Sequence, residues 1–281
     1  MIQIGIPSKG RLNEPITALF KLAGYKFRAD GRSLRIPCPG TDASVVLLRT
    51  DDIAPLVAAG VLDIGVATQD IIAETGAEVI ELLKLDLGHC RIVLAVPEKG
   101  DIKSVKDLDG KTIATSFPNI TRTFCAKFGA TPRIVEVGGS TEAMVPLGLA
   151  DAIVDITETG NSLRDNGLAI LEEIGKYQTV LVAGKEHADN PEITQLVRRL
   201  RGAIIAQTWR LVEYNIPREK LPEAEKITPG FNSPTIMSLE DPAWCAVRAL
   251  VPTKSLNEVM DTLEDLGAHA ILQYSVENCR L

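Results

Sequence analysis

Histidine is the scarcest chemistry-bearing residue in this sequence: only His89, His187 and His269 occur in 281 residues, and they lie far apart. Such spacing argues against a histidine metal site or a Cys–His nucleophile pair. The five cysteines, Cys38, Cys90, Cys125, Cys245 and Cys279, are scattered and form no CxxC, which argues against a disulfide framework or a structural zinc site. Aromatic residues make up 4%, too few for a stacking platform for single-stranded nucleic acid. No apolar run reaches the length of a membrane span, and the opening MIQIGIPSKGR alternates at once, with no apolar leader core. A soluble, cytoplasmic protein with no membrane partner is therefore expected. Acidic residues outnumber basic ones 37 to 30, a formal charge of −7. That balance disfavours a nucleic-acid partner but leaves room for a locally positive cleft that takes small anions.

Apolar residues reach 45%, and the length fits two or three domains with real cores. Ile2, Ile4 and Ile6 alternate as a strand; a helix is expected over 13–23, ended by Gly24. Strands over 44–48 and 62–67 flank a short helix stopped by Gly60. A second block starts near residue 90, with strands in CRIVLAVP, KTIATSF, PRIVEV and DAIVDI, a helix over 121–129, and another over 140–150 capped by Ser140. This alternation predicts parallel sheets covered by helices, an α/β fold. Asp63 and Asp151 hold matching places before short buried strands. They mark either a common turn pattern or two similar lobes facing a cleft. TVLVAG (179–184) reads as a strand returning to one lobe, and a long helix is expected from Pro191 to about Tyr214. Beyond a proline-rich stretch, the β-α-β order of WCAVRALVP, SLNEVMDTLEDLG and AHAILQYSV suggests a ferredoxin-like α+β sandwich. Residues 211–281 carry 11 acids against 6 bases, so the excess acidity sits there.

The strongest local signal is the run Asp151 to Leu163, DAIVDITETGNSL. A buried strand delivers Asp155, and a turn of hydroxyls and glycine leads into a short helix, where free N–H groups form a phosphate cradle. The same residues also make an ordinary capped helix start. Pro7-Ser8-Lys9-Gly10-Arg11 follows the first strand, and its two cations suit a pyrophosphate; solvated turn residues are the plainer alternative. Arg49, the loop from Thr115 and Ser116 to Arg122, and Gly138 to Glu142 repeat the theme at further strand ends. His89 and Cys90 read as structural.

The runs IGIPSKGRL, RTDDIAPLVAAGVLDIGVATQD, ATSFPNITRTF and GLADAIVDITETGNSLRDNGL, in this order, resemble the ATP phosphoribosyltransferase family, and the C-terminal stretch from Lys226 resembles the regulatory domain of its long form. The resemblance implies a two-lobed, periplasmic-binding-protein-like (type II) catalytic core plus an ACT-like third domain. Lobe I would span 1–88 and 178–210, lobe II 89–177, and the regulatory domain 211–281. It implies transfer of a 5-phosphoribosyl group from phosphoribosyl pyrophosphate to N1 of ATP, as the first step of histidine biosynthesis. Magnesium would serve as cofactor, histidine as feedback inhibitor, and the chain would form homo-oligomers from dimer to hexamer. Thr157, Glu158, Thr159, Gly160, Asn161 and Ser162 would then form the loop around the 5-phosphate, with Asp151 and Asp155 at the ribose and as candidate magnesium contacts. Lys9 and Arg11 would face pyrophosphate or the ATP phosphates, and Arg49, Asp70, Ser116, Arg122 and Glu142 would line the cleft, where a carboxylate such as Glu142 is expected to assist proton loss as a catalytic residue. Ser233, Thr235, Ala270 and Leu272 would belong to the histidine site. A two-lobed solute-binding module and a different phosphoribosyltransferase remain the rival readings at this level.

Overall fold

A computed structural model describes residues 1–28 and 35–280. In chain order, the first lobe holds β1 (Ile2–Pro7), α1 (Asn13–Leu22), β2 (Arg35–Pro37), β3 (Ala43–Leu48), α2 (Thr50–Ala58), β4 (Ile64–Thr68), α3 (Gln69–Thr75) and β5 (Ile80–Lys84). The second holds β6 (Cys90–Pro97), β7 (Thr112–Thr115), α4 (Pro118–Lys127), β8 (Arg133–Glu136), β9 (Ala152–Thr157), α5 (Asn161–Asp165) and β10 (Leu168–Tyr177). The chain then returns through β11 (Thr179–Ala183) to α6 (Pro191–Thr208). It ends in β12 (Trp209–Pro217), α7 (Leu221–Ile227), β13 (Thr235–Ser238), β14 (Trp244–Pro252), α8 (Leu256–Asp265) and β15 (His269–Ser275).

Contacts divide the chain into two units: residues 1–17 with 26–194, and residues 18–25 with 195–281. The first unit contains two sheets, ordered β2-β3-β1-β4-β11-β5 and β10-β6-β9-β7-β8. The chain crosses between them twice, after β5 and after β10. In the second sheet, alternate residues of β6 and β9 supply opposite faces: Ile92, Leu94 and Val154 pack on one side, and Val93, Ala95 and Ile153 on the other. A strand buried on both faces reads as a continuous apolar run, which is why AIV precedes the candidate loop. In the first sheet, α2 lies flat on β4 because residue 65 is glycine; a Cβ there would collide with Ile53 and Val57.

Three expectations need correction. The sheets are mixed rather than parallel: β1 pairs β3 and β4 in parallel, but β2, β5 and β11 run antiparallel to their neighbours, as do β6 and β10. Residues 141–143 form a single tight 3-10 turn in place of a helix over 140–150, and Ser140 sits at φ 51° without capping it. The long helix stops at Thr208 and the chain enters β12 directly, because Val212, Tyr214 and Ile216 point alternately into a core, a period of two that overrides the helical reading.

The second unit contains β12-α7-β13-β14-α8-β15 with sheet order β13-β14-β12-β15, the ferredoxin-like arrangement. Tyr214 is fully buried there and shares a hydrogen bond of 2.7 Å with Thr228.

Candidate active site

The loop leaving β9 is built from its own side chains. Thr157 is buried, and its Oγ1 accepts the N–H of Gly160 at 2.8 Å, pulling the chain into a turn. Gly160 takes φ 79°, a left-handed conformation that glycine adopts without cost. Arg164 then donates to the Asn161 side chain at the start of α5. Glu158, Thr159, Asn161 and Ser162 face solvent, and the Ser162 hydroxyl is open to a ligand. Glu158 forms an ion pair with Arg11. That contact joins the loop of the second sheet to the loop after β1, which Asn13 closes by donating to the Pro7 carbonyl at 2.6 Å. Lys9 is exposed in the same short loop.

Asp155, two residues before the loop, accepts the Ile156 N–H at 2.7 Å. Burial pushes its carboxyl above the usual carboxylate range, and the neighbouring charge of Glu142 adds to the rise, while a hydrogen bond from Thr141 opposes it. The 3-10 turn of residues 141–143 therefore brings Glu142 towards the end of β9. Among the described residues, no group of three His, Cys, Asp or Glu side chains is arranged to hold a metal ion.

Other expected site residues lie elsewhere or are engaged. Asp151 sits at the opposite end of β9 from the loop, about 20 Å away at roughly 3.3 Å per residue. Its Oδ2 accepts the Thr112 N–H at 2.8 Å, and Lys111 lies at 4.0 Å. It is thus a strand-pairing residue, and the ribose and magnesium roles expected for it are set aside. Ser116 donates to the Val137 carbonyl at 2.8 Å. Arg122 donates to Asn119 at 2.9 Å, and Arg49 lies exposed with Asp51 at 3.8 Å. The free N–H groups of Asn119 and Ile120 at the start of α4, where a phosphate was expected, are taken by the Glu74 carboxylate of α3 at 2.8 and 2.9 Å. Asp70 is buried at the start of α3, and its Oδ1 has no partner among the described residues. Ser233 and Thr235 lie beside or on β13, whereas Ala270 and Leu272 lie on β15; these are the two outer edges of one sheet.

Below the loop opens a cavity of about 280 Å³ lined by His89, Cys90, Arg91, Thr157, Glu158, Lys176 and Tyr177. Burial, with the Asp70 charge, pushes the Cys90 thiol up to about 11, which leaves it a poor nucleophile. His89 is exposed and bonded to Asp86 at 2.8 Å. Arg91 and Tyr177 did not stand out in the sequence. Only strand pairing places Arg91 opposite Thr157, and pairing partners are not written in a single chain's residue pattern.

A family profile described as ATP phosphoribosyltransferase matches residues 49–202, and one described as HisG, C-terminal domain, matches residues 206–278. This chain belongs to the ATP phosphoribosyltransferase family. An ATP phosphoribosyltransferase of Rhodopirellula baltica is 47% identical over 280 residues, covering all of this chain and 94% of that one. One of Arthrobacter sp. is 40% identical with full coverage of both. Among solved structures, a chain of an ATP phosphoribosyl transferase complex from Thermotoga maritima superposes with TM-score 0.67 at 32% identity, over 74% of this chain and 99% of that one. A chain described as an L-cystine ABC transporter from Listeria monocytogenes, 16% identical, superposes with TM-score 0.51 over 74% of this chain and 91% of that one, a likeness of fold alone.

With both matched regions present, the protein is a long-form ATP phosphoribosyltransferase, a pentosyltransferase that moves a phosphoribosyl group from phosphoribosyl pyrophosphate to ATP. The two-lobed core is of the type II periplasmic-binding-protein kind, followed by an ACT-like domain.

Proposed function

We propose that the transfer takes place where the loop after β9 meets the loop after β1. The Arg11–Glu158 ion pair carries this reading, because it sets a cationic loop of one lobe against the hydroxyl loop of the other. The 157–162 loop holds the 5-phosphate of phosphoribosyl pyrophosphate through its N–H groups and hydroxyls. Asp155 accepts from the ribose diol. Lys9 and Arg11 take the departing pyrophosphate, where charge-assisted bonds strengthen as charge develops. Arg49, Asp70 and Arg122 serve the ATP side of the cleft.

The nucleophile, adenine N1, carries a free lone pair near neutral pH, so no strong base is needed. A bond forms from N1 to C1′ of the ribose as the C1′–O bond breaks, and the electron pair leaves on pyrophosphate. The protein contributes alignment and electrostatic stabilisation. The ring gains positive charge, and Glu142 assists loss of the proton from the exocyclic nitrogen. Asp155, with the charge of Glu142 near it, would hold magnesium arriving on substrate phosphates, an ion that binds few protein ligands and keeps its waters. Bound there, magnesium would neutralise pyrophosphate charge.

Histidine is proposed to inhibit through the third domain. A single sheet with strands about 4.8 Å apart keeps β13 and β15 roughly 14 Å from each other, too far for one amino acid to bridge. The expected contacts thus divide between copies in a cytoplasmic homo-oligomer, dimer to hexamer. Supplying ATP, phosphoribosyl pyrophosphate and magnesium should release pyrophosphate and yield a ribosylated adenine; no release with both substrates present would overturn the reading.

A further inference from the structure

We propose that Arg91 is a substrate-contacting residue of this transferase, its guanidinium completing from the sheet side the cradle for the 5-phosphate, a phosphomonoester. The inference rests on the reading of the 157–162 loop given above.

Arg91 is the second residue of β6, with Thr157 opposite it on β9 and Lys176 opposite it on β10. It therefore lies directly beside the residue that opens the loop. A Cβ placed on Gly160 would sit 3.9 Å from Arg91 Nη2, so the guanidinium reaches the left-handed turn itself. Its Nε is buried and has no acceptor among the described residues. A covered donor without an acceptor is costly, and the native fold keeps few of them.

The nearby carboxylates do not satisfy it. Glu173 approaches Nη1 at 3.5 Å and is shared with Lys176 at 3.6 Å. Glu158, which lines the same cavity, is already paired with Arg11. What remains is a planar fork of donors beside the cavity, with Lys176 adding a second positive charge. A phosphomonoester, close to dianionic near neutral pH, offers three oxygens to such a fork. Loop N–H groups would hold the phosphate from one side and Arg91 from the other.

The test uses the intact chain and ribose 5-phosphate, which lacks the pyrophosphate and so reports on this subsite alone. Calorimetry should show Arg91→Gln weakening ribose 5-phosphate at least tenfold, with Arg91→Lys in between. KM for phosphoribosyl pyrophosphate should rise by a similar factor, while KM for ATP stays within twofold. Equal rises in both KM values, or a fall in kcat alone, would mark Arg91 as a brace for the turn and overturn the proposal. Should Arg91→Gln fail to melt like the parent, Glu173→Gln decides. Removing that competing carboxylate should tighten ribose 5-phosphate, and no change or a loss counts against. A parent chain that does not hold ribose 5-phosphate overturns the proposal as well. One that holds it through Arg91 yet releases no pyrophosphate sinks the transfer site and leaves the phosphate contact standing.

Discussion

Asp63 and Asp151 do the same work in the two lobes. Each stands just before a strand and accepts the backbone N–H of the neighbouring parallel strand, from Gln3 at 2.6 Å and from Thr112 at 2.8 Å. The matching acids in AAGVLDIGVAT and GLADAIVDIT thus reflect a repeated solution to strand pairing. Asp151→Ala should cost about 1.5–3 kcal/mol, as for a hydrogen bond to a charged acceptor, and leave KM for phosphoribosyl pyrophosphate unchanged. Urea unfolding and steady-state kinetics together check this. A tenfold rise in KM at unaltered stability would return Asp151 to the ribose.

Arg11 and Glu158 are both well exposed, and exposed pairs contribute only about 0–1 kcal/mol. Arg11→Gln should therefore barely shift the melting temperature. If the guanidinium meets pyrophosphate as its charge develops, kcat should fall about 100-fold, the scale for losing one preorganised donor. A large thermal shift with kcat intact would reverse the assignment and make the pair a structural tie.

The sequence makes the site's chemistry legible more readily than its geometry. AIVDI followed by TETGNS announces a buried strand that ends in a hydroxyl turn, because apolar runs and glycine report local conformation. The role of Asp151 is not legible, since acidity alone does not say which end of a strand faces the ligand. Glu74 and Arg91 are missed for a related reason. Glu74 accepts from Asn119, 45 positions away, and Arg91 stands opposite Thr157, 66 positions away, neighbours that only the fold brings together. The end of α6 is misread because alternating Val212, Tyr214 and Ile216 extend an apolar stripe whose period changes from helix to strand at Trp209.

Asp155 gives a pH signature with a definite sign. Its carboxyl is raised in the folded chain, by burial first and then by Glu142. A raised acid contributes stability that is present below its unfolded value and is lost as pH rises through its folded one. Asp155→Asn should thus be more stable than the parent at pH 7, with little or no advantage at pH 3, while transfer activity falls. Urea midpoints at both pH values check the first part. A variant less stable at pH 7 would mean that the ionised carboxylate holds the loop together.

Ala270 adopts φ 51° within β15, where the pairing with β12 slips: Glu213 faces Leu272, but Asn215 faces His269. Two residues there oppose one, a bulge whose left-handed position favours glycine. An L-residue in that region costs about 1–2 kcal/mol. Glycine gives back part of this through its freer unfolded chain, so Ala270→Gly should stabilise the second unit by about 0.5–1 kcal/mol. Ala270→Val, with a branched Cβ in the same strained position, should destabilise it. Hydrogen exchange along β12 and β15 reads the effect locally, and a glycine variant that exchanges faster would show that something other than backbone strain governs the bulge. The same pair of variants tests regulation. If Ala270 touches histidine through its backbone, the glycine variant keeps its sensitivity to histidine and the valine variant loses it by crowding.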